Sequence, residues 1–238
     1  MADSAAVPAV LAGLGIEAPD LRVFGTMHLF RAEPDQLLPS WRRLRAAHDR
    51  TGLWPVILGS DDDIAHLGQR LGRDPDTEVA RGLALDAPSR LAEWRAELQE
   101  DDPDAPPRGD AAGLEPQDED DFDLAGKPGW IGLVPAAAGY LVPGLLAWSG
   151  AENAGLEPAD HVAVLKRWHD LYGAELAGLG LDVIELWVPH PPAGPADALA
   201  VAEEHYWYCP DVVDQGVETL DALAAIQVPA RRWFFWWD

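Results

Sequence analysis

The spacing of apolar residues along the chain predicts a mixture of helices and strands. The clearest helix covers residues 160–172, because Val162, Leu165 and Tyr172 form one apolar stripe and Lys166 lies opposite. The same kind of spacing predicts further helices over residues 35–49, 61–71, 86–99, 197–208 and 217–226. Short apolar runs bounded by turn residues predict strands over residues 21–30, 54–59, 130–134, 140–148, 183–188 and 233–237.

These elements predict an α/β fold of the mixed α+β type, in which a mixed central sheet is flanked by helices on both faces. Residues 233–237 carry aromatic side chains on both faces of the predicted strand, which favours a central position covered on both sides. Two arrangements of the N-terminal strands stay open. They extend the same sheet, or they form a smaller partner domain.

A change of composition divides the chain. Residues 100–123 are acidic, rich in proline and glycine, and almost without apolar side chains. Such a segment buries too little apolar surface to offset the entropy lost when it is ordered. We therefore predict an N-terminal α/β region at 1–99, an acidic flexible linker or long surface loop at 100–129, and a C-terminal α/β domain at 130–238.

The formal net charge of −24 narrows the choice of partner. Phosphate backbones would be repelled, so nucleic acid is not an expected partner. An acidic surface either keeps the protein soluble or binds a basic protein. The uncharged run at 130–148 is interrupted by Pro135 and Pro143, so we expect buried strands there and no membrane span.

Cys209 is the only cysteine, so no internal disulfide forms, which is typical of the reducing cytoplasm. A nucleophilic role would need thiolate character, which a helix C-terminus and nearby acids oppose, so a buried apolar role is favoured. The chain contains no zinc-binding spacing of histidines and cysteines. Gly59-Ser60 occupies a phosphate-loop position but lacks the repeated glycines and the lysine. We therefore expect neither a metal nor a cofactor.

Three blocks carry a family resemblance. They are VAVLKRWHDLYGAE (162–175), AEEHYWYCPDVVDQG (202–216) and WFFWWD (233–238). In this order and at this spacing they resemble the bacterial family called domain of unknown function 4253, over about residues 130–238. The resemblance implies a compact mixed α/β domain in bacterial proteins, and it implies no reaction.

The densest group of chemically useful residues lies at 206–216. Asp211 and Asp214 are three residues apart, so they share one face if this is a helical turn. Two interpretations stay open: the pair binds a cation or does acid–base work, or Asp211 caps the turn after Pro210 and Asp214 caps the next helix. His169, on the apolar stripe of its helix, either assists the pair or is a core histidine.

A second group is suited to binding. Trp207 shares a predicted helical face with Glu203 and Glu204, which predicts an exposed tryptophan among acids, a candidate hot spot for a protein or a cationic ligand. The candidate binding set is completed by Gln215, Trp168 and Asp238. Asp238 follows a predicted buried strand, so we expect that end of the chain to be held in place.

These observations support three hypotheses of function. The favoured one is a non-catalytic, acidic interaction module of the antitoxin, immunity or accessory type, because the charge favours binding and no recognisable catalytic set occurs. The second is a hydrolase-like enzyme with a pocket at the 209–216 turn, in which Asp211, Asp214 and His169 act. The third is a small-ligand sensor with an aromatic pocket. Whether the protein is an enzyme stays open, and the sequence favours a protein without catalytic activity.

Overall fold

The computed structural model describes residues 7–67 and 73–238, apart from the side chain of His66. Its helices are α1 (Val7–Gly13), α2 (Pro34–Ala46), α3 (His48–Thr51), α4 (Asp61–Leu67), α5 (Pro75–Ala84), α6 (Ala87–Asp101), α7 (Val142–Leu145), α8 (Pro158–Tyr172), α9 (Pro195–Tyr208) and α10 (Leu220–Ile226). Its strands are β1 (Arg22–Phe24), β2 (Met27–Ala32), β3 (Leu53–Gly59), β4 (Gly129–Pro135), β5 (Glu175–Leu179), β6 (Val183–Trp187) and β7 (Arg232–Trp236). Residues 68–71 of the predicted helix at 61–71 lie outside the described residues.

The strands form one mixed sheet in the order β1-β2-β4-β3-β5-β6-β7. Neighbouring strands are antiparallel except for β3 and β5, which run parallel. Strand β4 lies between β2 and β3, so strands from before and after the acidic segment interleave. The N-terminal strands therefore extend the same sheet, which is the first of the two arrangements left open by the sequence.

Both faces of the sheet are covered. Trp54, Val56 and Leu58 of β3 pack on one face, in the cluster that includes side chains of α6, α8 and α9. Leu53 and Ile57 of the same strand pack on the other face with α1 and α2. The predicted fold class, a mixed sheet with helices on both faces, is confirmed. Within the part of the chain that the structure describes, no helix has both the length and the apolar character needed to cross a bilayer.

Residues 140–148 form helical turns, so the prediction of a strand there is wrong. A 3-10 turn at Gly139–Leu141 leads into α7. Pro143 lies in the first turn of α7, where its missing N–H would have no helical partner in any case, whereas in a strand it would remove a ladder hydrogen bond. A Cβ added at Gly144 would meet Val162 Cγ2 at 2.8 Å, so α7 packs closely on α8.

Strand β7 lies at the edge of the sheet, so its predicted central position is wrong. Side chains take the place of a further strand along its outer side. Gln117 Nε2 donates to the Arg232 carbonyl at 2.8 Å, and the Phe234 N–H donates to Gln227 Oε1 at 3.2 Å. Cys209 Sγ donates to the carbonyl of Trp236 at 2.9 Å. These contacts satisfy backbone groups that an edge strand otherwise exposes to other chains.

Helix α5 and strand β5 lie outside the sequence predictions. Helix α5 begins with a recognisable signal, because the Asp74 carboxylate accepts the Thr77 N–H at 2.9 Å and a proline follows the cap. Strand β5 is short and contains a glycine, so its apolar pattern is weak, and its pairing with β3 and β6 defines it as a strand.

The predicted strand at 21–30 is two strands, since the chain turns at Gly25 with a φ of 61°.

The acidic segment between α6 and β4 contacts the sheet at β6 and β7. The Glu185 side chain on β6 is completely buried, and its Oε1 and Oε2 accept the backbone N–H groups of Asp123 and Leu124 at 2.8 and 3.1 Å. Arg232 Nη2 donates to the same carboxylate at 2.8 Å. Burial raises the pKa of Glu185, and the charge of Arg232 acts in the opposite direction. One buried carboxylate therefore joins β6, β7 and the acidic segment.

Candidate functional site

The predicted turn is a π-helical turn at Val212–Val217. Asp211 directly precedes it, but its carboxylate makes no capping hydrogen bond. Its Oδ2 accepts the Asp238 backbone N–H at 3.1 Å, and its Oδ1 accepts Gln215 Nε2 at 2.8 Å. The prediction that Asp211 caps the turn is wrong, because its side chain instead ties the turn to the segment that follows β7.

Asp214 does not cap the next helix either, so that prediction is wrong. Helix α10 is capped by Thr219, whose Oγ1 accepts the Ala222 N–H at 3.2 Å. Asp214 instead accepts the Tyr206 hydroxyl at 3.4 Å. Burial raises the pKa of Asp214, and burial together with the charge of Asp214 raises the pKa of Tyr206 to about 12. Asp211 and Asp214 thus have different partners.

His169 contacts other residues than the turn. Its Nδ1 is hydrogen-bonded to the Ala174 carbonyl at 3.1 Å, and its ring lies 5.3 Å from that of Tyr140. These contacts are at the C-terminal end of α8, close to β5. The structure does not bring His169 into contact with Asp211 or Asp214.

The histidine that lies against Trp148 and Trp237 is His161, one helical turn into α8. Its ring is completely buried, contacts Trp148 and Trp237 edge-on at 4.8 and 5.5 Å, and is hydrogen-bonded through Nδ1 to the Tyr208 hydroxyl at 2.6 Å. Burial lowers the pKa of His161 to about 3, so the imidazole is neutral at neutral pH. His161 was not among the predicted site residues, because its spacing in the helix does not mark it as more buried than His169.

Cys209 is completely buried, as the sequence predicted. Its thiol donates to the Trp236 carbonyl, and burial raises the pKa of the thiol well above its ordinary value. A protonated, hydrogen-bonded thiol of this kind lacks the thiolate character that a nucleophile needs. Its position at the edge of β7 gives it a structural role in the sheet.

We expect Cys209 to be unreactive in the folded protein. Ellman's reagent at mildly alkaline pH should leave the native protein unmodified and should release one thiol per chain after unfolding in urea. Cys209→Ala should lower the free energy of unfolding by about 1–2 kcal/mol, because it removes the hydrogen bond to β7 and leaves a small void. The same variant is the control, since it should release no thiol in either state. Fast modification of the native protein would contradict a buried thiol.

Trp207 is 7% exposed, so the prediction of an exposed tryptophan is wrong. Helix α9 packs against α6, which places the Arg95 guanidinium 5.6 Å from the Trp207 ring. Glu204 is also engaged, since it pairs with Arg167 Nη2 at 2.6 Å and accepts the indole N–H of Trp168 at 2.9 Å. Glu203 is half-buried, and Trp168 is completely buried. This group therefore packs between helices, and Trp207 and Glu204 line a shallow pocket there together with Arg95 and Arg167.

A cavity of about 420 Å³ opens at one edge of the sheet, where Asp238 lies. Strands β3, β5 and β7 run in the same direction, because β5 is parallel to β3 and β6 is antiparallel to both of its neighbours. Their carboxyl ends therefore all lie on the side of the sheet where the cavity opens. The carboxyl ends of parallel strands are the usual ligand sites of open α/β sheets. Asp182 follows β5, Trp237 and Asp238 follow β7, and all three line the cavity. Trp148 lines it from the loop after α7.

Residues 130–238 match the model of the family described as Domain of unknown function (DUF4253). The match confirms the resemblance stated from the three sequence blocks. It covers every residue that lines the cavity except Leu67. No curated protein and no solved structure matches the chain.

The cavity of the DUF4253 region is held together by hydrogen bonds at its rim. Asp63 follows β3 in helix α4, and its Oδ1 accepts the Leu181 N–H at 2.7 Å, which joins the ends of β3 and β5. Asn153 Nδ2 donates to the backbone oxygen of Asp238 at 2.7 Å. Trp148 donates its indole N–H to the Gly180 carbonyl at 2.8 Å. The rim is thus fixed by contacts among α4, the segment after β5, the segment after α7 and Asp238.

The cavity carries negative charge that is only partly neutralised. Glu152 lines it and pairs with Arg73 at 3.1 Å. Among the described residues, no arginine, lysine or histidine pairs with Asp182 or Asp238. Burial raises the pKa of Asp182, and the charges of Asp63 and Asp238 raise it further. A positive group entering the cavity would therefore be attracted to Asp182 and Asp238.

The carboxylates of Asp182 and Asp238 give the cavity a negative charge that suits an organic cationic group. Within the described residues, no three side chains of the metal-ligating types lie close enough together to hold an ion. Asp238 was among the predicted binding residues, whereas Asp182 and Glu152 were missed. The available signal was the position of Asp182 just after a strand end, but β5 itself was not predicted.

Proposed function

We propose that this protein is a non-catalytic interaction module whose acidic cavity takes a cationic group of a basic partner protein. The observation that carries the proposal is the pair Asp182 and Asp238, which have no positive partner within residues 7–67 and 73–238 and lie in a cavity walled by Trp148 and Trp237. The net charge of −24 supports it, because a basic partner would be drawn to the whole surface.

The walls of the cavity favour an ionic contact. Trp148 and Trp237 are almost completely buried and contact each other edge-on at 5.7 Å, so they form a rigid apolar boundary. An apolar boundary lowers the local dielectric, which strengthens the attraction between a carboxylate and a cation. A lysine or arginine side chain at the centre of an interface meets these requirements, because its stem is apolar and its end is charged.

The setting that we propose is the reducing cytoplasm of a bacterium, with a role of the antitoxin, immunity or accessory type. Support for a reducing compartment comes from Cys209, the single cysteine, which is buried and unpaired. The hydrolase alternative has weaker support, because Asp211, Asp214 and His169 each contact a different residue and not one another. The sensor alternative would use the same cavity with a small cation as the occupant.

The test is affinity capture of the tagged full-length protein from lysate of its own host at low salt, followed by binding measurements with the captured protein. We expect one basic partner, released by salt. The double variant Asp182→Asn/Asp238→Asn should bind it at least about 10-fold more weakly, because two charges facing the cation are lost. Affinity for the wild type should fall as the pH is lowered through the raised pKa of Asp182, since protonation removes the charge.

The matched control is Glu115→Gln/Asp121→Asn, which changes the net charge equally at exposed positions of the acidic segment. It should alter the affinity by no more than about 2-fold. Equal binding by the cavity variant and the wild type would overturn the role of the cavity. If small amines raise the melting temperature of the wild type alone and no protein is captured, the sensor alternative replaces the interaction module.

A further inference from the structure

A second cavity, of about 580 Å³, lies beside α2 in the N-terminal part of the chain. It is lined by the loop after α1, by the end of β2 and by one face of α2. Its volume is within the usual range for small-molecule sites, about 300–1,000 Å³. All of its lining residues lie outside the region that matches the family, so it is separate from the acidic cavity.

Ser40 lines this cavity and lacks a partner. The residue is 3% exposed, yet its hydroxyl makes no hydrogen bond to any described residue. The contrast with His48, at the start of the neighbouring α3, is clear, since its buried ring is hydrogen-bonded to the Ala136 carbonyl at 2.8 Å. The Ser40 oxygen keeps a small accessible surface, so it faces the cavity and is available to a polar ligand group.

Arg43 lines the cavity one turn further along α2, and it is the arginine of α2 that has no carboxylate partner. Arg42 pairs with Asp120, and Arg45 pairs with Glu175. The Arg43 guanidinium is held instead by three carbonyls, those of Pro39, Leu14 and Gly15, each at 3.3 Å. Carbonyls fix its position without neutralising its charge. It is thus available to an anionic group, for which a guanidinium is the preferred protein ligand.

The rest of the lining contains carboxylates, a second arginine and an apolar floor. Glu17 and Glu33 line the cavity, and neither forms an ion pair with a described residue. Arg31 pairs with Asp61, and its backbone N–H donates to the Asp20 carboxylate. Ile16 and Phe30 are buried beneath them. The cavity thus combines one guanidinium without a carboxylate partner, a hydroxyl, two glutamates without an ion pair, and an apolar floor.

We propose that this cavity binds a free α-amino acid with an apolar side chain. The carboxylate of the ligand lies on Arg43 and Ser40, its ammonium group faces Glu17 and Glu33, and its side chain packs on Ile16, above the buried Phe30. A zwitterion satisfies both charges of the lining at once, whereas a simple anion would be repelled by the glutamates and a simple cation by the arginine. The site would make the N-terminal part of the chain a sensor of amino acids.

The test uses the full-length protein with L-leucine and L-phenylalanine as probes, followed by thermal unfolding and calorimetric titration. Both should raise the melting temperature with increasing concentration. Leucinamide, which lacks the carboxylate, and 4-methylpentanoate, which lacks the ammonium group, should not. Arg43→Gln should weaken binding by at least about 10-fold, and Ser40→Ala should weaken it by about 3- to 10-fold while the protein stays folded, because the hydroxyl has no partner to lose.

Arg42→Gln is the matched control, because it lies on the same helix, pairs with Asp120 and does not line the cavity. It should change the affinity by no more than about 2-fold. The proposal is overturned if neither amino acid stabilises the protein, if the two analogues bind as well as the amino acids, or if Arg43→Gln binds as tightly as the wild type. The variant Asp182→Asn/Asp238→Asn should bind amino acids normally, so this proposal and the function proposed for the acidic cavity fail independently.

Discussion

Glu185→Ala is expected to lower the free energy of unfolding by about 3–5 kcal/mol. The substitution leaves the buried Arg232 guanidinium with only the exposed Asp123 carboxylate, 3.4 Å away, as a counter-charge, and it leaves the backbone N–H groups of Asp123 and Leu124 without their acceptor. A buried charge that loses its buried partner is among the most destabilising results of a single substitution. Urea unfolding followed by circular dichroism measures the effect. Limited proteolysis should also become faster within the acidic segment, because its attachment to β6 is lost.

Two further variants separate the buried charge from a general effect of losing a glutamate. Glu119→Gln removes a carboxylate that faces Arg231 at 3.7 Å, where both side chains are about half exposed, and should cost less than about 0.5 kcal/mol. The double variant Glu185→Leu/Arg232→Met removes both buried charges and should recover a large part of the loss. A small effect of Glu185→Ala, comparable with that of Glu119→Gln, would show that the buried pair does not hold the segment to the sheet.

The sequence predicted the helices better than the positions of the strands. Helices α6, α8 and α9 each have an apolar stripe and a start signal, and these are properties of local sequence. The position of a strand in a sheet depends on distant residues. Strand β7 has the aromatic pattern of a central strand, but Gln117, Gln227 and Cys209 supply the hydrogen bonds that allow it to lie at the edge. No local pattern encodes that arrangement.

The candidate site was predicted only in part, for the same reason. Asp211 and Asp238 were singled out separately, and their direct hydrogen bond depends on how β7 ends beside the turn. The spacing of residues in α9 places Trp207 on a polar face of that helix. Helix α6 covers this face, and the sequence of α9 by itself does not reveal that contact. Asp63, Asp182 and Asp238 come together because three strands end at one edge of the sheet. Such a site becomes visible only when the strand order is known.

Trp168→Ala is expected to destabilise the fold by about 3–5 kcal/mol. Trp168 was predicted as a binding residue, but it is the centre of an aromatic cluster. Its ring stacks on Phe235 at 5.2 Å and contacts Tyr208, His205 and Trp233 edge-on at 5.2, 4.8 and 5.7 Å. Removing the indole leaves a cavity among rigid rings that cannot move together to fill it. Urea unfolding measures the loss, and near-ultraviolet circular dichroism should report the loosened packing.

Trp168→Phe distinguishes packing from hydrogen bonding. Phenylalanine keeps a ring against β7 but loses the N–H that donates to Glu204, which still has Arg167 as a partner. It should therefore cost only about 1–2 kcal/mol. Leu171→Ala on the same helix is the control, because Leu171 is 51% exposed, and it should change stability by no more than about 0.5 kcal/mol. If Trp168→Ala were no more destabilising than Leu171→Ala, the aromatic cluster would not be the core of the C-terminal part, and Trp168 would again be a candidate for ligand binding.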